Sequence, residues 1–582
     1  MRILFLFLCL AFRSSLLAQD GKTLSLPDDA SVQEIAKWLP DSPQGFGEPY
    51  QNREAWAHIT DMATATNVVK RAEALLKTAF PAWSDSAYMD YFQTGSREKS
   101  GKMFTDRGKW LPALVWAECL ENNGRFIPAI EMVISEYAKQ TSWVLPPHDV
   151  DKQNILKVRY SVDLVAADIA HNIAQADYLL NNKLSAATRQ LIQTQLQQRI
   201  FEPVLSSLKN NYKRGHGWLL DTNNWNSVCL SGVTGAALAA LSKKEDRAMF
   251  VAIAKIYSQN YMDGFTADGY CTEGLGYYDY GFSRYIFLRE NILQSTMGKL
   301  DLFAGEKIRK IAAYPLNIQM AEGVYPTIAD CKVGVKPLAF VLWYNDKVLG
   351  LGLPQYDTMK LVPQFGSLVE DAMFNFPNSA SLFKVKTVSK QQTNMLRSWF
   401  DEAGILVARP NNNATNQLSV CIKGGNNNEH HNHNDLGSYT LALGNKKIIE
   451  DPGGPYIYTA ATFSKDRYSI TCINSYGHPV PLIAGKQQQP GAASKANILN
   501  TSFADNKDVL EMDLVSAYKV SGIKKMERDF AYNRKGKGSL TVADVFESDS
   551  TNTFETALVT RSNFKITAPD TIEFATDNGY VM

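Results

Sequence analysis

The chain's 582 residues exceed what one hydrophobic core organises, so two large domains or more are expected. Apolar residues make up 45% and charged residues 20%, the values of an ordinary soluble globular protein. A formal net charge of +1 excludes a global field that would draw the molecule to nucleic acid or a membrane surface, though not a local basic patch for an acidic polymer.

Read from the N-terminus, MRILFLFLCLAFRSSLLAQDGK has the parts of a signal peptide. Arg2 is a short positive region, and the apolar run from Ile3 to Phe12 is too short to span a bilayer. Ala18 is the expected last residue removed, and Cys9 comes too early for lipoprotein cleavage. No later stretch resembles a membrane-crossing helix, so a periplasmic or secreted protein without membrane insertion is expected. The six cysteines after the leader are widely spaced and form no CxxC pair, which points to buried free thiols rather than a disulfide scaffold or zinc ribbon.

Residues 19–390 read as a helical domain. LSAATRQLIQTQLQQRI opens on a Ser185 cap and places Ile192, Leu196 and Ile200 on one face. Similar runs separated by short polar loops predict antiparallel helical hairpins, without a strict repeat. Two stretches stand out. DTNNWNSVCLSGVTGAALAAL sets Asn223, Asn224, Trp225 and Asn226 before a small-residue helix. A cap needs only one asparagine, so Asn224 or Asn226 is free to offer an uncharged amide to a carboxylate. In DGYCTEGLGYYDYGFSRY, Glu273, Tyr277 and Tyr280 fall at i, i+4 and i+7, one helix face, with Tyr278 on another. Such a stripe suits a packed core, and it also suits sugar rings, which meet aromatic faces with polar edges. RGHGW, with Arg214 and His216, reads as an exposed loop.

Residues 391–582 alternate as strands, among them ILVARP, LSVCIKG, SYTLALG and KKIIED, with Gly444-Asn445 as a tight turn between the last two. A large antiparallel β-sandwich is expected. The sequence stops at DNGYVM in or beside a strand, so either the last sheet is short or the sandwich is truncated. Within EHHNHNDLGSYTLALGNKKIIEDPGG, residues two apart on an extended segment face the same way, so His431 and His433 share a face and His430 points away. Asp451 ends the hairpin and comes close to His433, and His478 follows in INSYGHPVP. Two histidines and a carboxylate are ligands that zinc takes. The same run also reads as polar turn residues bonded to backbone.

Together NNWNSV, DGYCTEGLGYYDYG and the ordered block HNHNDLGSY, EDPGGPYIY, TFSKDRYSITCINSYGHPVPLIAGKQQ resemble the heparinase II/III-like polysaccharide lyases. The resemblance spans nearly all the mature chain. It implies an incomplete (α/α) toroid of helical hairpins followed by an antiparallel β-sandwich, and cleavage of an acidic, uronic-acid polysaccharide by β-elimination. It further implies Asn224 as the neutralising group, Tyr280 as the catalytic tyrosine with Tyr277 as the alternative, and His431 reaching into the cleft. Trp225, Asn226 and Glu273 would bind substrate, and His433, Asp451 and His478 would hold a structural zinc. Trp225 stands where some relatives have histidine. Two other readings compete. One is a glycan-binding protein of the same fold with a degenerate site, against which the Asn, Tyr and His set weighs. The other is a zinc hydrolase, which needs an open metal position and a base such as Glu429 or Asp435.

Overall fold

The computed structural model describes residues 22–60, 62–353, 364–376, 395–411, 416–576 and 579–581. The expected signal peptide and the expected boundary at 390/391 lie outside the described residues. The first half is helical and the second is built of antiparallel sheets. Among the described residues no helix is long and apolar enough to cross a membrane. The six described cysteines are free, five of them buried, as their spacing implies.

Five helices position the site: α1 (Asp85–Thr94), α2 (Glu98–Gly108), α3 (Leu164–Leu180), α4 (Asn224–Ala240) and α5 (Leu275–Ser295). α4 is buried from Asn226 to Ala240, a helix of small and apolar residues in which even Ser227, Ser231 and Thr234 are covered. Its glycines let α3 approach closely. A Cβ on Gly232 would lie 2.5 Å from the Ala167 carbonyl oxygen, and one on Gly235 would lie 2.3 Å from the His171 ring. That contact buries His171, which burial holds neutral with a pKa of about 3. The pairs 167/232 and 171/235 rise together, so α3 and α4 are parallel. Asn224 pairs with Glu273, just before α5, and one turn on Ser227 donates to the Gly281 carbonyl oxygen at 2.7 Å, so α5 runs the same way. The N-termini of α3, α4 and α5 therefore open at one end of the helical half. Asp163 caps α3 and Asn223 caps α4. Gly274 opens α5 at φ +83°, where a Cβ would meet the Ile328 carbonyl oxygen at 2.4 Å. α5 thus begins after Glu273, which stands in the preceding turn rather than on the helix face the i, i+4 spacing predicted.

The second half opens with a five-stranded sheet, β1 (Arg397–Phe400), β2 (Ile405–Ala408), β3 (Leu418–Lys423), β4 (Tyr439–Leu443) and β5 (Lys446–Ile449), paired in that order. Opposite it lie β6 (Asn497–Phe503), β7 (Lys507–Asp513), β8 (Ile523–Asn533) and β9 (Ser539–Ser548). Leu406, Val420 and Ile422 meet Leu510, Met526 and Phe530 between the sheets. On the other face, Ile405, Val407, Cys421 and Ala442 join the core of the helical half. Phe400 packs there on Tyr270, ring centroids 5.2 Å apart. The five-stranded sheet is thus a wall shared by both halves, which is why β2 is buried at all four positions.

Candidate functional site

At the N-terminal end of α4, Asn224 donates from its main-chain N and its Nδ2 to the Glu273 carboxylate, at 2.9 and 2.7 Å. The carboxylate acceptor fixes which end of the amide is nitrogen. Asn226 does not reach the cleft. It is fully buried, and its Nδ2 is held by the carbonyls of Trp218, Leu219 and Tyr257, so the expected substrate contact is replaced by a structural one. Trp225 is half-buried and meets His148 edge-on at 4.5 Å. His148 Nδ1 lies 2.7 Å from the Asp163 carboxylate that caps α3. His216 is buried, its Nδ1 2.8 Å from Ser207 Oγ, rather than exposed as its loop suggests.

The opposite wall comes from the segment between β3 and β4. His431 adopts a left-handed backbone, φ +57°, which turns the chain and ends the simple alternation of faces. His430 consequently does not point away. Its Nε2 lies 3.2 Å from Thr222 Oγ1 in the helical half, and burial lowers its pKa. The His431 ring stacks on Tyr277 at 3.9 Å and 15°. Its Nδ1 is 2.8 Å from Asp330 Oδ2, and its Nε2 is 3.6 Å from Glu273 Oε1. The Tyr277 hydroxyl is 2.8 Å from that of Tyr458. Burial, then the neighbouring Tyr458, raises the Tyr277 pKa well above its usual value.

Asp330 joins this corner to a second one. Its other oxygen lies 3.0 Å from His433 Nε2 and accepts from Arg467 at 2.9 Å. Burial opposes its charge, yet His431, His433 and Arg467 together hold its pKa far below the usual carboxylate range. Beyond it, His433, Asp435, Asp451 and His478 are all buried, with ligand atoms within 4.8 Å of one another. His433 Nδ1, Asp435 Oδ2 and His478 Nε2 lack a hydrogen-bond partner. His478 Nδ1 stands 2.9 Å from Asp451 Oδ2, and Lys423 pairs with the remaining Asp435 oxygen. Burial presses His433 toward its neutral, ligating form against the pull of Asp330. Orphaned atoms converging in a dry cluster of two imidazoles and two carboxylates fit a metal ion.

Sequence reasoning missed three participants. Asp435 was legible, two residues after His433, but only as a candidate base. Asp330, in TIADCK, carries no local signal, and Tyr458 ends the stretch EDPGGPYIY without marking itself out, because each meets its partners from a distant part of the chain. Tyr280, by contrast, is 36% exposed, and the groove it lines does not include His431. Tyr280 shares that groove, of about 400 Å³, with Asp279, Ser283, Arg284, Lys336 and Glu370, one turn further along α5 than Tyr277.

No family model matches the sequence, and no curated protein matches it. Solved structures do match in shape. A crystal structure of heparinase III superposes over 95% of this chain and 85% of its own, with a TM-score of 0.53 and 13% identity. A heparinase III with methylated lysines covers 85% of this chain and 72% of its own, at 0.54 and 13%. The chain therefore has the heparinase III fold, a helical toroid followed by an antiparallel β-sandwich.

Proposed function

We propose that the protein is a polysaccharide lyase, exported to the periplasm or beyond, that cleaves a uronic-acid polysaccharide by β-elimination. The observation that carries this reading is the corner at the helix N-termini, where His431 is stacked on Tyr277 and held by Asp330. The shared fold supports it. In the reaction a base takes the C5 proton and the C5–H electrons move into the carboxylate, which becomes enolate-like. Those electrons then form the C4=C5 double bond as the C4–O bond breaks, and the leaving oxygen, which keeps that bond's electron pair, takes a proton. Tyr277, rather than Tyr280, is the tyrosine placed for this proton traffic, because only Tyr277 touches His431. Asn224 neutralises the uronate carboxylate as it becomes enolate-like, and Glu273 orients that amide rather than binding sugar itself. Tyr277, from the helical wall, and His431, from the sandwich wall, meet as a single stacked pair, so both proton transfers come from one place. A proton removed and a proton supplied from one side favour syn elimination, which suits uronates whose C5 hydrogen and C4 oxygen share a side, as in glucuronate and mannuronate.

His433, Asp435, Asp451 and His478 would hold zinc, which when bound would neutralise the paired aspartates and cross-link the loops around β4 and β5. The complete burial of this cluster favours a structural role over water activation. Hyaluronan, chondroitin sulfate, heparan sulfate and alginate, incubated with the enzyme and followed by ultraviolet absorbance and mass spectrometry, test the reading. Unsaturated uronate ends are expected, and products carrying an added water would overturn it.

A further inference from the structure

One segment spans both halves beside the Tyr277 corner. From Asp451 the chain continues through Pro452–Phe463 toward the junction of α1 and α2. Its base is fixed: Gly454 N donates to the Cys331 carbonyl at 3.0 Å, and a Cβ on Gly453 would lie 2.4 Å from the same oxygen. Its far end is latched. Thr459 pairs with Ser96 as an antiparallel bridge, and Ala460 N donates to the Gly95 carbonyl at 3.1 Å. Gly95 is left-handed at φ +71°, where a Cβ would come within 3.2 Å of the Ala460 methyl. The Arg97 guanidinium lies 4.9 Å over the Phe463 ring, which itself stands edge-on to His431 at 6.0 Å. Between base and latch, Tyr458 meets Tyr277, while Tyr456 and Ile457 are exposed.

We propose that Pro452–Phe463 is a strap that closes one end of the cleft, so that a uronate polymer enters by its terminus and is shortened from that end. The inference rests on the lyase reading and adds its mode of attack. Cutting inside a chain requires a cleft open at both ends. Here, next to the reacting pair, the sandwich wall and the helical wall are joined by main-chain hydrogen bonds, and a sugar chain does not pass between an amide and the carbonyl it bonds. The aromatic lining of Tyr458 and Phe463 makes the closed end a surface for a terminal sugar ring.

Two measurements decide it. Products from the same four polymers are sized at low conversion. The wild type is expected to release only the smallest unsaturated product, and Ala460→Pro to add products of intermediate length. Proline is accepted at the first position of the short 3₁₀ turn Ala460–Phe463, so this variant removes the latching N–H without breaking the turn. Intermediate lengths from the wild type would overturn the strap. Separately, the Tyr277→Phe protein is titrated with hyaluronan and alginate fractions of different length. Saturation on moles of chain ends supports the strap, and saturation on moles of total sugar overturns it. If none of the polymers gains an unsaturated end, the lyase reading alone fails, and the titration still decides whether the site binds termini.

Discussion

The two corners that share Asp330 are built from residues two apart in sequence, yet they are physically opposite. At the metal-type corner, His433, Asp435, Asp451 and His478 are sealed from water and their free atoms face one another. At the tyrosine corner, Tyr277 and His431 are half-buried and their polar edges remain reachable. The first arrangement suits holding a shape and the second suits exchanging protons with a ligand. Asp330 binds both histidines, so the closed corner fixes the aim of the open one.

The largest expected effect breaks the open corner alone. Tyr277→Phe should lower kcat by about 10²–10⁴-fold, the usual worth of a proton-transfer group, with the melting temperature unchanged. Tyr280→Phe is expected to stay within a few-fold of wild type. A dead Tyr280→Phe and an active Tyr277→Phe would reverse the assignment. His433→Ala should do the opposite at the closed corner. It should abolish metal uptake, read by elemental analysis, and cost about 3–5 kcal/mol of stability, as when one partner leaves a buried charged cluster. Full metal occupancy in that variant would end the division between corners.

Asp330→Asn tests the joint. It keeps an acceptor but loses the charge that holds His431, so kcat should fall about 10–100-fold, with KM less affected. His430→Ala is expected to weaken kcat/KM several-fold, about 1 kcal/mol, through its lost contact with Thr222. The alternating-face reading of the sequence expects no change there. Asp279 belongs to neither corner. Burial pushes its carboxyl from 3.8 to about 7, against the pull of the Leu338 main-chain N–H. The folded protein thus binds this proton more tightly than the unfolded chain, and its contribution to stability falls as pH rises from 3.8 to about 7. Asp279→Asn should remove that slope from a series of denaturation curves and leave turnover within a few-fold.

What the sequence revealed follows from distance along the chain. The step of four at Ile192, Leu196 and Ile200 buries all three residues, and Ser185 caps their helix. The β4–β5 hairpin returns Asp451 to His433 because a hairpin joins its own ends. Tyr277 and Tyr280 could not be separated, because the stripe defines a helix face but not where the helix begins. That start is set by Gly274 against the Ile328 carbonyl, a contact between distant segments. His430 was misread because one left-handed residue, His431, is invisible to a pattern of period two. Asp330 and Tyr458 enter the site only when the two halves meet.

The five-stranded sheet has one more consequence. One of its faces completes the core of the sandwich and the other completes the core of the helical half. Neither half can then melt without exposing an apolar face of the other, which ties their unfolding together. Scanning calorimetry should show a single cooperative endotherm for the whole chain, and limited proteolysis should yield no long-lived fragment of either half.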